Sequence, residues 1–221
     1  MSVSILIPYR PDSPQREAIA AWHRHHLQTT YPCVQTIRCD DGAVDGPFNR
    51  SRALNRCRAL ATEDLLWVLD VDTAPHPDDL GIALAALGDH AWIDPYRTAL
   101  ELDQVGTTFV LDGRATPHSW NRHTVRGHAH GLPLIRADVW DDIGGWDETF
   151  AGWGYEDMAM HDTLTTLHPP VIAPPIEHIR TLTHPRQASV QSARAHDHYN
   201  DAYLPARGDA HAMRQIIKDR T

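Results

Sequence analysis

The run Leu65-Leu66-Trp67-Val68-Leu69-Asp70-Val71-Asp72 is the strongest indication of a β-sheet in this sequence. Its first five residues are apolar and unbroken, which is typical of a strand covered on both faces. Two aspartates follow at once, and residues two apart project to the same side of an extended chain. Carboxylates in such a place are costly unless a cation compensates them, and their hard oxygen atoms suit Mg²⁺ or Mn²⁺. Asp70 and Asp72 therefore indicate a metal site, and a surface turn with two solvated aspartates is the alternative.

The residues before this run predict two more strands of the same sheet. We expect strands at Ser4–Ile7 and Val34–Arg38, and helices at Ser13–Gln28 and Asn49–Ala61. Strands that alternate with helices are typical of a parallel α/β sheet with right-handed crossovers. The carboxyl ends of its strands would line one cleft, where the sequence has Pro8, Tyr9, Arg10, Asp40, Asp41, Asp70 and Asp72. Asp40-Asp41-Gly42 is in isolation also typical of a plain turn.

Beyond residue 75 the pattern is looser. The elements predicted there are a helix at Pro77–Leu87, strands at Thr107–Leu111 and Gly131–Ile135, a mobile loop at Asp112–His130, and helices at Arg136–Ile143 and Glu156–Leu167. The last thirty-odd residues have helical spacing but little apolar content, and we expect them to pack as a lid or an appendage.

Length and composition limit the class of protein. The chain has 221 residues, which predicts a single domain, 1–221, with one sizeable core. Its net charge of −9 argues against the broad basic surface of a non-specific nucleic-acid binder. No apolar run approaches the roughly 20 residues that cross a bilayer, so no integral membrane segment is expected. The three cysteines form neither a zinc spacing nor an even disulfide set, and the N-terminus lacks a leader pattern, so a cytoplasmic location is predicted.

A second pattern lies in Gly144–Phe150 and Gly152–Asp157, where glycines and tryptophans precede two acidic residues. Glu156 and Asp157 open a predicted helix, and the helix dipole favours carboxylates in a first turn. This structural interpretation competes with a functional one, because the apolar faces of sugars stack on aromatic rings. Trp153 would then bind a sugar next to a carboxylate that acts as a general base.

A third candidate is His184, within Leu182–Arg186. A metal site at Asp72 needs a further ligand that is distant in sequence, and imidazole suits Mn²⁺. His128 and His130 compete for this role, and a lone histidine is usually just a surface residue.

Taken in order, these motifs resemble those of GT-A glycosyltransferases. They are Ile5–Arg10, Asp40–Gly46, Phe48–Asn55, Asp70–Asp72 and Gly152–Asp157. The segment Asp40–Gly46 looks like the family 2 transferases, whereas Phe48–Asn55 and Gly152–Asp157 look like the β-1,4-galactosyltransferases. The resemblance covers roughly residues 3 to 186, and Tyr155 stands where the galactosyltransferase motif has a second glycine.

The resemblance implies an α/β fold of the GT-A (Rossmann-like) type, with a mostly parallel sheet flanked by helices. Within the single domain it implies a nucleotide-binding half up to about residue 100, an acceptor half at about 101–186 and a C-terminal helical appendage at 187–221.

The resemblance also implies a role for each motif residue. The nucleotide would be held by Pro8, Tyr9, Arg10, Asp40, Asp41, Phe48, Arg50 and Asp70. Mn²⁺ (or Mg²⁺) would be bound by Asp72 and a late histidine, for which we choose His184. Asp157 matches the catalytic base. The acceptor or the sugar would lie against Trp153, Gly154, Glu156 and His130.

The implied activity is an inverting, metal-dependent transfer of a sugar from a UDP-sugar to an acceptor hydroxyl. The acceptor class stays open among a glycan, a lipid-linked sugar, a small molecule, a protein side chain and a modified nucleobase. One alternative is a sugar-phosphate nucleotidyltransferase, whose usual glycine-rich first loop is missing from Pro8–Pro11. The other alternative is a non-catalytic module that binds a nucleotide sugar.

The predicted loop at Asp112–His130 is rich in basic residues. They are His118, Arg122, His123, Arg126, His128 and His130. We expect this loop to order as a lid over the donor, and contact with a phosphate-bearing acceptor is the alternative.

Overall fold

The computed structural model describes residues 2–128, 131–152, 154–170, 172–185 and 192–220, which form two sheets and their flanking helices. The strands are β1 (Val3–Pro8), β2 (Gln35–Cys39), β3 (Leu65–Val68), β4 (Thr73–Ala74), β5 (Trp92–Ile93), β6 (Tyr96–Leu102), β7 (His123–His128), β8 (Leu134–Arg136) and β9 (Ile176–Thr181). The helices are α1 (Pro14–Thr30), α2 (Arg50–Leu60), α3 (Asp79–Leu87), α4 (Gln104–Leu111), α5 (Ala137–Asp142), α6 (Glu156–Leu167), α7 (Ser192–His198), α8 (Leu204–Ala206) and α9 (Ala210–Asp219). A 3₁₀ turn at Pro117–Ser119 and a π-helical turn at Tyr199–Tyr203 complete the described elements.

The first sheet has the strand order β2-β1-β3-β8-β5. Its first three strands are parallel, which confirms the predicted arrangement and brings their carboxyl ends to one edge. β8 and β5 extend the sheet in antiparallel pairings. β8 covers only the end of the predicted strand Gly131–Ile135, because Gly131 lies in a turn with a positive φ.

Each face of this sheet is covered by its own set of helices, since side chains alternate along a strand. Ile5 and Ile7 face a core with α1 and α3, whereas Leu6 faces a core with α2, α5 and α6. The side chains of Ile5, Leu6 and Ile7 are fully buried. The unbroken apolar run Leu65–Leu69 is therefore what two-sided cover requires. The same packing fixes α6 and α2 on one face, near the edge where the parallel strands end.

The second sheet brings the late histidine to the strand ends. Its order is β4-β9-β6-β7, and β4 begins directly after Asp72. β4 pairs antiparallel with β9, so that Thr73 lies opposite Thr181. The N–H of Leu182 then donates to the carbonyl oxygen of Asp72 at 2.8 Å. This pairing places the segment that follows β9, including His184, next to Asp72.

The segment Thr107–Leu111, predicted as a strand, is instead the main part of helix α4. The carboxylate of Asp103 caps this helix by accepting from the N–H of Gly106 at 2.7 Å. The same oxygen accepts from the indole N–H of Trp120 at 3.0 Å, and Trp120 packs closely on Gly106. A local cap and tertiary packing therefore override the strand preference of the β-branched residues.

The segment Asp112–His130, predicted as a mobile loop, contains a 3₁₀ turn and strand β7 in its described part. β7 pairs with β6, and Leu100 lies opposite Val125. The side chains described along β7 are exposed, and they include the charged Arg126, as is common on edge strands. Apolar alternation is therefore absent, which is why the sequence pattern did not indicate a strand.

The C-terminal segment 192–220 packs against α6. The contact is a small apolar cluster that includes Phe150, Ala159, Tyr199, Tyr203 and Met213. None of the helices in the described ranges combines the length and the hydropathy that a membrane crossing needs.

Asp147 joins the C-terminal segment to the loop that precedes α6. Its Oδ2 accepts from the hydroxyl of Tyr203 at 2.6 Å and lies 3.0 Å from Nε2 of His198. Its Oδ1 accepts from the N–H of Thr149 at 2.9 Å. Burial by itself raises the pKa of this carboxyl, but the hydrogen bonds from His198, Tyr203 and Thr149 outweigh burial and hold the pKa below its usual value.

Asp147→Asn is expected to lower the free energy of unfolding by about 1–3 kcal/mol at pH 7. Because the pKa is lower in the folded state, the carboxylate stabilises the fold above the unfolded pKa of about 3.9 and stops doing so as the pH falls through the folded value. The difference in the free energy of unfolding between the variant and the wild type should therefore become smaller below about pH 4. Urea unfolding at pH 7 and pH 3 measures this change, with the exposed Asp201→Asn as the control. If Asp147→Asn lost the same free energy of unfolding at both pH values, the charge of Asp147 would not be what stabilises the fold.

Candidate functional site

Arg50 lies at the centre of the strand-end edge. Its Nε donates to Oδ1 of Asp70 at 2.9 Å, and its Nη2 donates to the carbonyl oxygen of Gly131 at 2.7 Å. The guanidinium lies over the ring of Trp146, 4.7 Å from the ring centroid. Nη1 is buried and has no hydrogen-bond partner among the described residues. Nη1 of Arg50 is therefore the donor that can still bind a ligand.

Helix α2 and the loop before α6 hold Arg50 and Trp146 in this geometry. Asn49 caps α2, since its Oδ1 accepts from the N–H of Arg52 at 2.8 Å. Asn55, further along α2, donates to the carbonyl oxygen of Trp146 at 2.9 Å and accepts from its backbone N–H at 3.0 Å. The ring under the guanidinium is thus fixed by the same helix that carries Arg50.

The first turn of α6 brings Asp157 to the same guanidinium. Gly131 lies between them, with a φ of +93°. A Cβ atom added at Gly131 would lie 2.9 Å from Cβ of Asp157 and 3.7 Å from Nη2 of Arg50. Asp157 and Asp70 are therefore both beside Arg50, although they come from different halves of the sequence.

Glu156, the neighbour of Asp157, is a buried carboxyl with a raised pKa. Its Oε2 is buried and has no hydrogen-bond partner among the described residues. Burial and the nearby charge of Asp157, only partly opposed by Arg50, raise the pKa of Glu156 to about 7. This carboxyl can therefore hold or release a proton near neutral pH.

Asp72 and His184 form the second half of the site. Oδ2 of Asp72 lies 3.5 Å from Nε2 of His184, and Nδ1 of His184 lies 2.9 Å from the carbonyl oxygen of Pro185. The hydrogen bond to Asp72 raises the pKa of His184. The contact with His184 holds the pKa of Asp72 below its usual value, although burial opposes this. The carbonyl contact at Nδ1 leaves Nε2 directed at the carboxylate, as in many metal-binding histidines.

A carboxylate oxygen and an imidazole nitrogen side by side fit a divalent cation such as Mn²⁺. No three histidine, cysteine or acidic side chains in the described ranges come together as a metal cluster. Hard cations often keep water and substrate oxygens as their remaining ligands, so two protein ligands are compatible with such a site.

The predicted nucleotide side is built on Arg10. Its Nη1 lies 3.3 Å from Oδ1 of Asp41, and its guanidinium lies 5.7 Å from the ring centroid of Phe48. Asp41 is buried, and its Oδ2 accepts from the N–H of Asn49 at 2.9 Å. Both oxygens of Asp41 are therefore engaged within the protein, whereas the side chain of Asp40 is about half exposed (53%). Oδ1 of Asp40 accepts from the N–H of Gly42 at 3.0 Å and lies 3.5 Å from Nη2 of Arg56, so Asp40 meets a ligand mainly through its other oxygen.

Tyr9 follows Pro8, the last residue of β1, and is buried between two arginines. The guanidinium carbon of Arg16 lies 5.8 Å from its ring centroid, and that of Arg38 lies 5.7 Å away. The hydroxyl of Tyr9 is buried without a hydrogen-bond partner in the described part of the chain.

Some residues that were predicted for the acceptor side lie outside the part of the chain that the structure describes. Trp153 and His130 lie outside the described residues, and so does the side chain of His128. Gly154 precedes Tyr155 with a φ of +106°, and nothing lies within 4 Å of a Cβ atom built on it. Of the three candidate histidines, His184 is the one that the described part of the chain places in contact with Asp72.

Two parts of the site were not predicted from the sequence as functional. Trp146 lies in the glycine- and tryptophan-rich motif, but its contact with Arg50 depends on Asn55 from a distant helix. The carbonyl oxygen of Gly131 leaves no signal in the sequence, since any residue has one. Only the need for glycine between Arg50 and Asp157 marks the position.

Comparison with known proteins identifies the fold. No protein-family model matches the chain, and no curated protein is significantly similar to it in sequence. Among solved structures, the chain is similar to a mutant of Drosophila β-1,4-galactosyltransferase 7 in complex with manganese, UDP-Gal and xylobiose. That match has a TM-score of 0.51 and 15% identity, and it covers 88% of this chain and 79% of the other.

Two further solved structures are similar. The catalytic domain of Drosophila β-1,4-galactosyltransferase 7 in complex with xylobiose matches with a TM-score of 0.53 and 14% identity, and covers 88% of this chain and 79% of the other. Glucosyl-3-phosphoglycerate synthase from Mycobacterium tuberculosis, in complex with Mn²⁺ and UDP-glucose, has a TM-score of 0.49 and 14% identity, with 93% and 78% covered. The galactosyltransferase matches show that the chain has the GT-A fold that its motifs predict.

Removal of Arg50 is expected to be strongly destabilising, because Asp70, Glu156 and Asp157 would lose the cation they share. Arg50→Ala should lower the free energy of unfolding by about 3–5 kcal/mol at pH 7. The control is Arg52→Ala on the same helix, whose exposed pair with Glu148 should be worth less than about 1 kcal/mol. Urea unfolding followed by circular dichroism gives both values. Equal losses for the two variants would contradict the central position of Arg50.

Proposed function

We propose that this chain is a metal-dependent glycosyltransferase that moves a sugar from a UDP-sugar to an acceptor hydroxyl with inversion at the anomeric carbon. The observation that carries the proposal is the position of Arg50 within a GT-A fold. Arg50 donates to the carboxylate of Asp70, which follows β3, and lies near the first turn of α6, which carries Glu156 and Asp157. One of the similar β-1,4-galactosyltransferase 7 structures is a complex with manganese, UDP-Gal and xylobiose, which supports the same class of reaction here.

On the donor side, Asp72 and His184 are proposed to hold Mn²⁺ or Mg²⁺. When bound, the cation would neutralise the charge that develops on the departing diphosphate. Pro8, Tyr9, Arg10, Phe48, Arg50 and Asp70 are proposed to line the nucleotide. Asp40 is the better candidate than Asp41 for the contact with uracil, because Asp41 is buried and bound on both oxygens.

On the acceptor side, Asp157 is the proposed general base. The acceptor oxygen attacks the anomeric carbon, the bond from that carbon to the diphosphate breaks, and the hydroxyl proton passes to Asp157. Glu156 is proposed to bind the acceptor, and Trp153, Gly154 and His130 remain predictions for the same surface.

A reducing, cytoplasmic location is also proposed. Cys33, Cys39 and Cys57 are all free thiols, which is the usual state in that compartment.

Asp157→Asn is expected to lower the turnover number about 10²- to 10⁴-fold, since the amide cannot take the proton of the attacking hydroxyl. UDP affinity should stay unchanged, because Asp157 is not on the donor side. Mass spectrometry of UDP release, with water as acceptor, measures turnover for UDP-glucose, UDP-galactose and their N-acetyl forms. Calorimetry measures UDP binding.

Glu156→Gln is the matched control for this test, because it changes the neighbouring carboxylate in the same helical turn. It should retain turnover with water as acceptor within about tenfold of the wild type. Unchanged turnover of Asp157→Asn would remove Asp157 from its role. Binding of UDP with Mn²⁺ but no release from any donor would favour a binding module.

Asp72→Asn and His184→Ala are expected to weaken UDP binding at least about tenfold in the presence of Mn²⁺ and little in its absence, since each removes one metal ligand. Calorimetric titrations of UDP with and without Mn²⁺ make the comparison. His178→Ala, on the exposed part of β9, is the control and should bind UDP as the wild type does. An equal loss with and without Mn²⁺ would argue against a metal at these two residues.

A further inference from the structure

We infer that Tyr155 is a positioning residue, whose ring fixes the first turn of α6 against the C-terminal segment 192–220 and thereby places Asp157. The inference rests on the proposed function, because it concerns how the proposed base is held. It also assigns a task to the C-terminal segment, which the donor and acceptor roles above leave without one.

The backbone of Tyr155 shows that this position is constrained. Tyr155 is the N-cap residue of α6 and has a φ of +70°. It is the one non-glycine residue with a positive φ in the described ranges. Side chains with a Cβ atom disfavour this conformation, and it persists only where the surroundings enforce it. The side chain makes no capping hydrogen bond, so the enforcing contact lies elsewhere.

That contact is with two rings of the C-terminal segment. The ring of Tyr155 lies 5.3 Å from the ring of His196, edge to face, and 5.5 Å from the ring of Tyr199. Such ring pairs have preferred geometries and contribute beyond their buried area. Tyr155 therefore has a docking surface on helix α7 and the turn that follows it.

The docking surface is itself attached to α6. The hydroxyl of Tyr199 donates to Oδ2 of Asp162 at 2.7 Å, and Nε of Arg207 donates to the same oxygen at 2.7 Å. The ring of Tyr199 also stacks on that of Tyr203, with a centroid distance of 6.3 Å. The C-terminal segment thus contacts α6 at two levels, at Tyr155 before the helix and at Asp162 within it.

Two glycines lie close before Tyr155 in the described part of the chain. Gly152 and Gly154 both have positive φ values, and glycine is the most flexible residue in the unfolded and loosely held chain. The N–H of Gly152 donates to the carbonyl oxygen of Phe48 at 3.0 Å. The carbonyl oxygen of Tyr155 accepts the first hydrogen bond of the helix, from Ala159 at 2.9 Å. Movement of Tyr155 would therefore shift the turn that carries Glu156 and Asp157.

The test compares two substitutions at the same position. Tyr155→Phe keeps the ring, and Tyr155→Gly keeps the positive φ without strain but removes the ring. Tyr155→Phe should retain turnover within about twofold of the wild type. Tyr155→Gly should lower kcat for UDP release roughly 10- to 100-fold at unchanged donor KM, since the base is displaced but the donor residues are not.

Hydrogen exchange gives a readout that does not depend on activity. Peptides that cover residues 156–160 should exchange about tenfold faster in Tyr155→Gly than in the wild type, because the first turn opens more often. Met213→Ala is the control for general destabilisation, since Met213 is buried on α9 and contacts α6 further along, where its sulfur accepts from the hydroxyl of Thr163 at 3.5 Å. It should lower the Tm while the kcat of the folded protein stays near the wild-type value.

Wild-type kcat and wild-type exchange in Tyr155→Gly would overturn the inference, as would an equal loss of kcat in Met213→Ala. Absence of UDP release from the wild type, with faster exchange in Tyr155→Gly, would instead refute the proposed function while the docking of the turn stands.

Discussion

The site depends on one buried guanidinium that carboxylates from distant parts of the chain share. Asp70 follows β3 and Asp157 lies in the first turn of α6, and the two carboxylates would repel each other if Arg50 did not lie beside them. Helices α2 and α6 pack on the same face of the first sheet, so each can reach the strand ends. The geometry of the core and the electrostatics of the site therefore support the same arrangement.

The number of negative charges at the strand ends is the reason that the proposed function includes a metal ion. Asp72 and His184 meet because β4 and β9 pair, and their contact is an ion pair whenever His184 is protonated. In the proposed function, a diphosphate would add further negative charge next to Asp70 and Asp72. One arginine could not compensate all of these groups, whereas a divalent cation held by Asp72 and His184 would supply the missing positive charge.

The three parallel strands of the first sheet were predictable from the sequence, because they are short segments that end in turn residues, as Leu65–Leu69 does, whereas the two-residue strand β5 was not predicted. The aspartates and His184 were predictable as motifs, but their contacts depend on the second sheet. That sheet was missed for a physical reason. The exposed strand β7 lacks an apolar alternation, and the helical state of Thr107–Leu111 depends on the cap by Asp103 and on the indole of Trp120.

The second sheet also changes what the basic segment can do. Arg126 forms an ion pair with Glu101, and Arg122 lies 3.0 Å from the carboxylate of Asp103. These cations are compensated within the protein, so the segment offers a polyanion much less charge than its composition indicates. Six residues of the expected lid are instead an edge strand paired with β6. In the proposed function, selection of the acceptor would therefore depend mainly on the turn that begins α6, where Glu156 and Asp157 lie near Arg50.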